Sequence, residues 1–190
     1  MKSLKSFLAV LALLACAAGV ARAADLSQAV MLVATEQLSG TGYEETVLLA
    51  APLAQGGHVG FIVNRPTGVR LESLFPDFAP SREVIEPLYL GGPLLSNSIF
   101  AITRKAPEGE GEIIPLMSGL VALIDAPSLD RVIETTPNDA RYFVGLMAWN
   151  PGELDDEIRE GAWNVRPANI EAVLGADSAA LWKELSAPRT

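Results

Sequence analysis

The sequence predicts an α+β fold with a mixed β-sheet and a few peripheral helices. Apolar runs of strand length recur along the chain, and helix-like segments interrupt them at irregular intervals. They lack the regular alternation of strand and helix that a doubly wound parallel fold requires. Glycine and proline are spread evenly as turn residues, without a repeat, a low-complexity tract or a linker. We therefore expect one domain, residues 24–190.

The first half of this domain predicts four strands, at residues 29–34, 46–50, 58–63 and 84–90. Gly56-Gly57 precedes the third strand, so the second and third are expected to form a hairpin. Residues 64–68 end the third strand with a proline and a glycine, and residues 70–75 predict a short helix. Gly91-Gly92-Pro93 cannot continue a strand and ends the fourth.

The second half predicts strands at residues 98–103, 113–115, 120–124, 141–149 and 163–166. The polar segment 105–112 is interpreted as an exposed loop. Residues 127–135 predict a helix that begins at a proline and has one apolar face.

Residues 151–160 predict a second helix, with Asn150 as its cap and Glu153 three residues after the cap. Its acids lack the spacing of a calcium loop and are interpreted as a solvated face. Asp177 is expected to cap a last helix that ends at Leu185.

The amino terminus has the pattern of an export signal. Lys2 and Lys5 precede an apolar run from Phe7 to Val20, and Ala21-Arg22-Ala23 fits a leader-protease site. The run is shorter than the about 20 residues that a bilayer-spanning helix needs. We therefore predict a signal peptide at residues 1–23 and a periplasmic domain.

An alternative is that residues 13–16 (Leu-Leu-Ala-Cys) form a lipobox. Cys16 would then be lipidated and would anchor the domain at a membrane.

Charge and composition exclude several classes of site. Residues 1–23 hold three bases and no acids, so their removal leaves 11 bases against 23 acids, a net charge near −12. That balance disfavours nucleic acid as a partner, because most of a protein's affinity for nucleic acid comes from basic residues that neutralise the phosphates. Cys16 is the only cysteine and His58 the only histidine, which excludes thiolate and histidine-rich metal sites in residues 24–190. No metal and no cofactor are predicted.

Four groups of residues, in this order, resemble the YqgE/AlgH family of bacterial proteins across about residues 30–170. The groups are Met31–Ala34 with Val47–Leu49; Gly60–Pro66; Tyr89–Pro93; and Arg141–Gly145 continuing through Trp149, Pro151–Leu154 and Gly161–Trp163. Thr35-Glu36 and Met147-Ala148 depart from the family's usual residues.

The resemblance implies a pseudo-barrel built on a bent mixed sheet, with helices packed outside it. It implies no established enzyme activity. The family's label as a transcriptional regulator is a distant alternative, because an exported acidic chain is unsuited to direct DNA contact.

Asn64 and Arg65 are candidate ligand-binding residues at the end of the third strand. The planar guanidinium of Arg65 suits a carboxylate or phosphate, and Asn64 could orient the same ligand. The alternative is structural: Asn64 turns the chain and Arg65 pairs with an internal acid.

Gly91, Gly92 and Trp149 complete the candidate ligand-binding set. The two glycines permit close approach of the backbone, either to a ligand or to another strand at a sheet corner. Trp149 could line a pocket or close the neighbouring helix onto the sheet.

We weigh two functions. The first is a non-catalytic binding or interaction module of the cell envelope, with a small molecule or an envelope protein as its partner. The second is a hydrolase or transferase for an anionic small molecule, with Arg65 as anion holder and His58 as base. His58 itself is expected on the surface or on an edge strand.

Overall fold

The computed structural model describes residues 25–175 and 177–187. Within them, nine strands form one sheet and five α-helices lie around it. The strands are β1 (Val30–Ala34), β2 (Val47–Pro52), β3 (His58–Ile62), β4 (Tyr89–Leu90), β5 (Leu94–Thr103), β6 (Ile113–Met117), β7 (Leu120–Leu123), β8 (Ala140–Trp149) and β9 (Trp163–Pro167). The helices are α1 (Leu71–Leu74), α2 (Ala126–Thr135), α3 (Glu153–Arg159), α4 (Ile170–Leu174) and α5 (Leu181–Ser186), with 3-10 turns at Glu36–Leu38 and Ala79–Glu83.

The segment predicted as a signal peptide, with Cys16 in it, lies outside the described residues. None of the helices between residues 25 and 187 that the structure describes has the length and apolar character to cross a membrane.

The strand order is β6-β7-β5-β8-β3-β2-β1-β9, and neighbours on this path run antiparallel. The short strand β4 pairs with β8 in parallel, so the sheet is mixed, as predicted. The hairpin of β2 and β3 is confirmed, with Ala50 opposite Gly60. The α+β prediction is therefore correct.

The sheet bends at β8, the strand that its two halves share. The first half of β8 pairs with β5 and its last three residues pair with β3. Gly145 lies between these halves with φ +71°, a left-handed conformation that glycine adopts without a steric penalty. Beside it, the Gly91 N–H donates to Val144 O at 2.8 Å, and the Gly91 carbonyl accepts from Ile62 N at 2.9 Å. The chain after β4 thus lies between β8 and β3, and the sheet curls into a half-barrel.

The inner face of the half-barrel holds the largest core cluster. Phe61, Phe100 and Phe143 meet there, with ring centroids 5.4 to 6.1 Å apart for the two contacts that Phe61 makes. Val173 and Leu181, from α4 and α5, belong to the same cluster. Because side chains alternate across a strand, two further clusters lie on the outer faces, one under α3 and one under α1 and α2.

The strand predicted at residues 84–90 is wrong except for Tyr89 and Leu90. The backbone groups of Val84 and Ile85 bond to side chains, and those of Leu88 bond to the backbone of Val69 and Thr67, which belong to no strand. Arg70 donates to the carbonyls of Val84 and Ile85, and the Asn138 amide oxygen accepts from the Ile85 N–H. A local apolar run does not reveal partners of this kind.

The helix predicted at residues 151–160 begins later, at Glu153, and its N-cap is Gly152. Glu153 nevertheless reaches back as expected, and its carboxylate accepts 2.7 Å bonds from the backbone and side-chain amides of Asn150. The predicted cap at Asp177 is wrong, because α5 starts at Leu181 with Ala180 as its N-cap; Asp177 instead accepts from the Ala180 N–H at 3.1 Å in the turn before the helix. Helix α4 was not predicted.

Candidate functional site

Asn64 connects the end of β3 to the start of β2. Its Oδ1 accepts from the Val47 N–H at 2.9 Å, and its Nδ2 donates to the Glu45 carbonyl at 2.8 Å. Glu45 has a positive φ of 53°, so the bond holds a strained residue in place. The side-chain amide of Asn64 therefore has partners within the chain on both atoms.

Arg65 is held by main-chain carbonyls rather than by an internal acid. Its Nη1 and Nη2 donate at 2.6 Å to the carbonyl oxygens of Gly42 and Glu44. Hydrogen bonds from the Gly40 N–H and the Ser39 hydroxyl lower the pKa of the Glu44 carboxyl. Arg65 thus braces the loop before β2.

Asn64 and Arg65 line one cavity of about 520 Å³, together with Glu44, Glu45, Ala179, Trp182 and Lys183. Its charged residues are two acids and two bases. Gly91, Gly92 and Trp149 do not line it. The structure therefore brings together two of the five predicted ligand-binding residues, and their ligand role stays a prediction.

Gly91 and Gly92 lie against β8. A Cβ on Gly91 would be 2.2 Å from Gly145 O, and a Cβ on Gly92 would be 2.3 Å from the Leu146 carbonyl. The close approach that the two glycines permit is thus made by a strand of the same domain. The residue before Gly91 contacts the backbone of the candidate arginine: the Leu90 N–H donates to the Arg65 carbonyl at 2.9 Å.

Trp149 is buried, and its ring covers Gly60 in the outer cluster beneath α3. His58 is also buried, at 8% exposure, in β3 between β2 and β8. The expected surface or edge-strand position for His58 is therefore wrong. Its Nε2 lies 3.0 Å from the Leu26 carbonyl and so carries the proton, while Nδ1 is buried and has no hydrogen-bond partner among the described residues.

A larger concavity lies on the outer face of the sheet between α1 and α2. We call it the outer cleft; its volume is about 1040 Å³. The floor of the cleft is formed by β4, β5 and β8, with the residue before β4. One wall is α1 with its flanking loops, and the opposite wall is α2 with the residues before it. The lining residues are Thr67, Val69, Leu71, Leu74, Phe75, Phe78, Leu88, Leu90, Ser96, Asn97, Ser98, Ile99, Ile124, Ala126, Leu129, Asp130, Ile133 and Val144.

The outer cleft coincides with the main group of exposed apolar side chains in the described part of the chain. Leu74 and Phe75 line the cleft and are 47% and 43% exposed. Leu94 and Leu95, which begin β5 next to the cleft residue Ser96, are 46% and 60% exposed. Exposed apolar groups that cluster in a concave site are typical of a binding surface.

Polar groups in the outer cleft are few and lie mainly along β5. Ser96, Asn97 and Ser98 contribute hydroxyls and an amide, and among the described residues Asp130 is the one charged residue that lines the cleft. Strand β5 pairs with β8 at Leu94 and again from Ile99 onward. Residues 95–98 of β5 have no pairing partner on β8.

Sequence reasoning missed the outer cleft, although parts of its pattern are local. Leu71, Leu74 and Phe75 have helical spacing in a predicted short helix, and Leu94-Leu95 is an apolar pair next to polar residues. Their juxtaposition depends on the folded sheet, which no local pattern reports.

Arg141 is a second residue whose role was missed. It is 2% exposed, and its Nε donates to the Glu86 carboxylate at 3.0 Å. Its Nη1 and Nη2 donate to the carbonyls of Val173 and Gly175 at 2.6 and 2.5 Å. The guanidinium also lies 4.4 Å from the centre of the Tyr89 ring. Arg141 thus holds β4, β8 and the end of α4 together.

Comparison with known proteins agrees with this architecture. The crystal structure of a protein from Corynebacterium diphtheriae has a TM-score of 0.67 and 22% identity, over 85% of this chain and 86% of that one. The solution structure of the AlgH protein from Pseudomonas aeruginosa also has a TM-score of 0.67 and 22% identity, over 84% of this chain and 88% of that one. These likenesses support the fold alone.

Sequence relatives extend over most of the chain. A UPF0301 protein of Streptomyces coelicolor is 29% identical over 159 residues, 82% of each protein. A UPF0301 protein of Chlorobium luteolum is 29% identical over 157 residues, 80% of each. The family model described as AlgH-like (DUF179) matches residues 31–188. The resemblance seen in the sequence is therefore confirmed, and the chain belongs to the AlgH-like, UPF0301 family.

Proposed function

We propose that this protein is a non-catalytic binding module of the cell envelope and that the outer cleft is its binding site. The observation that carries the proposal is the combination of an apolar concavity of about 1040 Å³ with half-exposed Leu74 and Phe75 at its edge. Small-molecule and peptide sites are concave, mostly apolar and supplied with a few polar groups, as this cleft is.

The lining defines the chemistry of the ligand. Leu88, Ile99 and Val144 offer an apolar floor, so the ligand has an apolar body. Asp130 and the hydroxyls of Ser96 and Ser98 offer acceptors, so the ligand carries hydrogen-bond donors or a positive charge. An anionic ligand such as nucleic acid is disfavoured by this carboxylate and by the net charge of −9.

The envelope assignment rests on residues 1–23, whose two lysines, apolar run and Ala-x-Ala site have the pattern of an export signal. Intact-mass spectrometry of the protein from its native host tests this assignment. Cleavage after Ala23 would support a periplasmic protein, and lipidation at Cys16 would support a membrane-anchored one. A full-length protein recovered from the cytosol would refute the envelope assignment.

Binding at the outer cleft is testable with Nile red, a neutral apolar dye whose emission reports an apolar environment. We expect saturable binding to the full chain, weakened at least about tenfold in a Leu74→Glu, Phe75→Ser double variant, because two apolar contacts are lost. Both side chains are substantially exposed, so the double variant should fold.

Ile85→Ser is the matched control for this experiment. Ile85 is 70% exposed but does not line the outer cleft. Its substitution should leave dye binding unchanged. Equal binding by the chain and by the double variant would contradict the proposal, because the dye would then bind elsewhere.

A further inference from the structure

One edge of β5 is open beside the outer cleft. β7 pairs with β5 only at Ala101–Thr103. Within the described residues, no strand follows on that side of β5 over residues 94–100. Residues 96–99 line the outer cleft, so the open edge borders it. An unpaired strand edge presents N–H and C=O groups that another extended chain can bind.

The composition of this edge is unusual for an exposed one. Natural edge strands are commonly protected by lysine, proline or an inward charge. Residues 94–99 read Leu-Leu-Ser-Asn-Ser-Ile and contain none of these residue types; the one feature of edge protection here is the bulge in the pairing with β8 between Leu94 and Ile99. Leu95 has a φ of +52° and is 60% exposed, so a strained backbone holds an apolar side chain in solvent. Strain of this kind is concentrated at ligand clamps and switch regions.

The charge of the outer cleft indicates the charge of its partner. Asp130 is exposed on α2, and within the described residues no cation lies within ion-pair distance of it. The whole chain is acidic, with a net charge of −9. A complementary partner is therefore basic.

We infer that the outer cleft binds an extended polypeptide segment in which apolar residues alternate with polar ones and at least one residue is lysine or arginine. The inference rests on the proposed function and adds the class of ligand. The backbone of the segment pairs with residues 95–99, alternate side chains enter the apolar cleft, and the basic residue meets Asp130. A plain hydrocarbon ligand would fill the cleft but would leave both the open edge and Asp130 unused.

A random peptide library displayed on phage, about ten residues long as strands commonly are, is the first probe. The immobilised full chain is the target, and the Leu74→Glu, Phe75→Ser double variant is used for counter-selection. We expect enriched peptides with alternating apolar residues and a lysine or arginine. Failure to enrich any peptide, or enrichment of acidic ones, would overturn the inference.

The best enriched peptide is then made synthetically, with a fluorescent label, and its affinity is measured by anisotropy. Replacing two backbone N–H groups by N-methyl should weaken binding at least about tenfold, because each lost hydrogen bond and the added methyl oppose pairing. Asp130→Asn should weaken binding about two- to fivefold, as for an exposed ion pair. The same variant should have no effect on a peptide whose basic residue is norleucine.

The outcomes separate this inference from the proposed function. If Nile red binds at the outer cleft but N-methylation leaves peptide binding unchanged, the site is apolar without strand pairing, and the inference fails alone. If neither Nile red nor any peptide distinguishes the chain from the double variant, the proposed function fails as well. Loss of binding on N-methylation together with the Asp130 effect confirms the inference.

Discussion

Replacing Arg141 by methionine tests the claim that one buried guanidinium joins three parts of the fold. Four of its five N–H groups donate: two to Glu86 and one each to the carbonyls of Val173 and Gly175. Methionine fills a similar apolar volume but donates nothing. The two carbonyls then lose their partner, and Glu86 loses its counter-ion.

The expected magnitude follows from what is left behind. A buried polar group without its partner costs about 1–3 kcal/mol. Two carbonyls are affected, whereas the Glu86 side chain is 42% exposed and can be rehydrated. Breaking a buried pair from one side costs about 3–5 kcal/mol, and we expect Arg141→Met to fall in that range. For a domain of this size, that loss lowers Tm by about 6–20 °C.

Urea unfolding followed by tryptophan fluorescence measures the change, with the slope of the transition checked for two-state behaviour. Arg159→Met is the matched control, because Arg159 pairs with Asp156 at 2.6 Å but is 71% exposed. It should cost less than about 0.5 kcal/mol. If Arg141→Met cost no more than the control, the role assigned to Arg141 would be wrong.

Three further substitutions test other parts of the fold by the same unfolding measurement. Gly91→Ala places a methyl group 2.2 Å from Gly145 O, which should lower the free energy of unfolding by about 3 kcal/mol. Gly68→Ala is the control, because its methyl group meets open space and should leave the free energy of unfolding unchanged. Equal effects of the two substitutions would contradict the close approach of Gly91 to β8. Asn64→Ala removes partners from Val47 N and Glu45 O and should cost about 2 kcal/mol; a neutral result would show that these bonds contribute nothing to stability. Burial raises the pKa of Asp125, but hydrogen bonds from Ser128 and Glu112 outweigh it and hold that pKa below its ordinary value. A depressed carboxyl pKa stabilises the fold above the unfolded value and loses that contribution as pH falls through the folded value. The loss of stability in Asp125→Ala, about 1 kcal/mol for a lost helix cap, should therefore be complete at neutral pH and should shrink in acid, as the pH falls through the depressed pKa of Asp125.

The fold class, most strands and α2 were predictable because their signals are local. Apolar runs, turn glycines and the apolar face of residues 126–135 lie within a few neighbouring positions. The short helix α4 has a local signal that the prediction overlooked: the Asn169 side chain caps it by accepting from the Glu171 N–H, and Gly175 follows its last residue. Only the bond from Arg141 to the Val173 carbonyl, 32 residues away along the chain, is hidden from local patterns. Segment 84–90 failed because its backbone partners, Arg70 and Asn138, are distant in sequence.

The candidate site was less predictable than the fold. The sequence predicts a ligand role for Asn64 and Arg65 because an amide and a guanidinium at a strand end suit a ligand. The sequence could not show that carbonyls more than 18 residues earlier already occupy both side chains. The outer cleft was missed because its walls come from segments around Leu74, Leu95 and Leu129, and only the folded sheet makes them neighbours.

The positions of the family-like segments in the fold indicate which residues can determine ligand specificity. Gly60–Pro66, Tyr89–Pro93 and Arg141–Gly145 meet where β4 lies between β3 and β8. Their residues are needed for chain crossing and for the buried guanidinium, which accounts for their pattern without a ligand. Leu74 and Phe75 line the outer cleft and Leu95 lies beside it; these exposed rim residues lie outside the family-like segments, whereas the lining residue Leu90, 39% exposed, belongs to Tyr89–Pro93. Substitutions on the rim can therefore alter what the cleft binds while the bend of the sheet is kept, since the contacts that fix the bend involve none of the rim side chains.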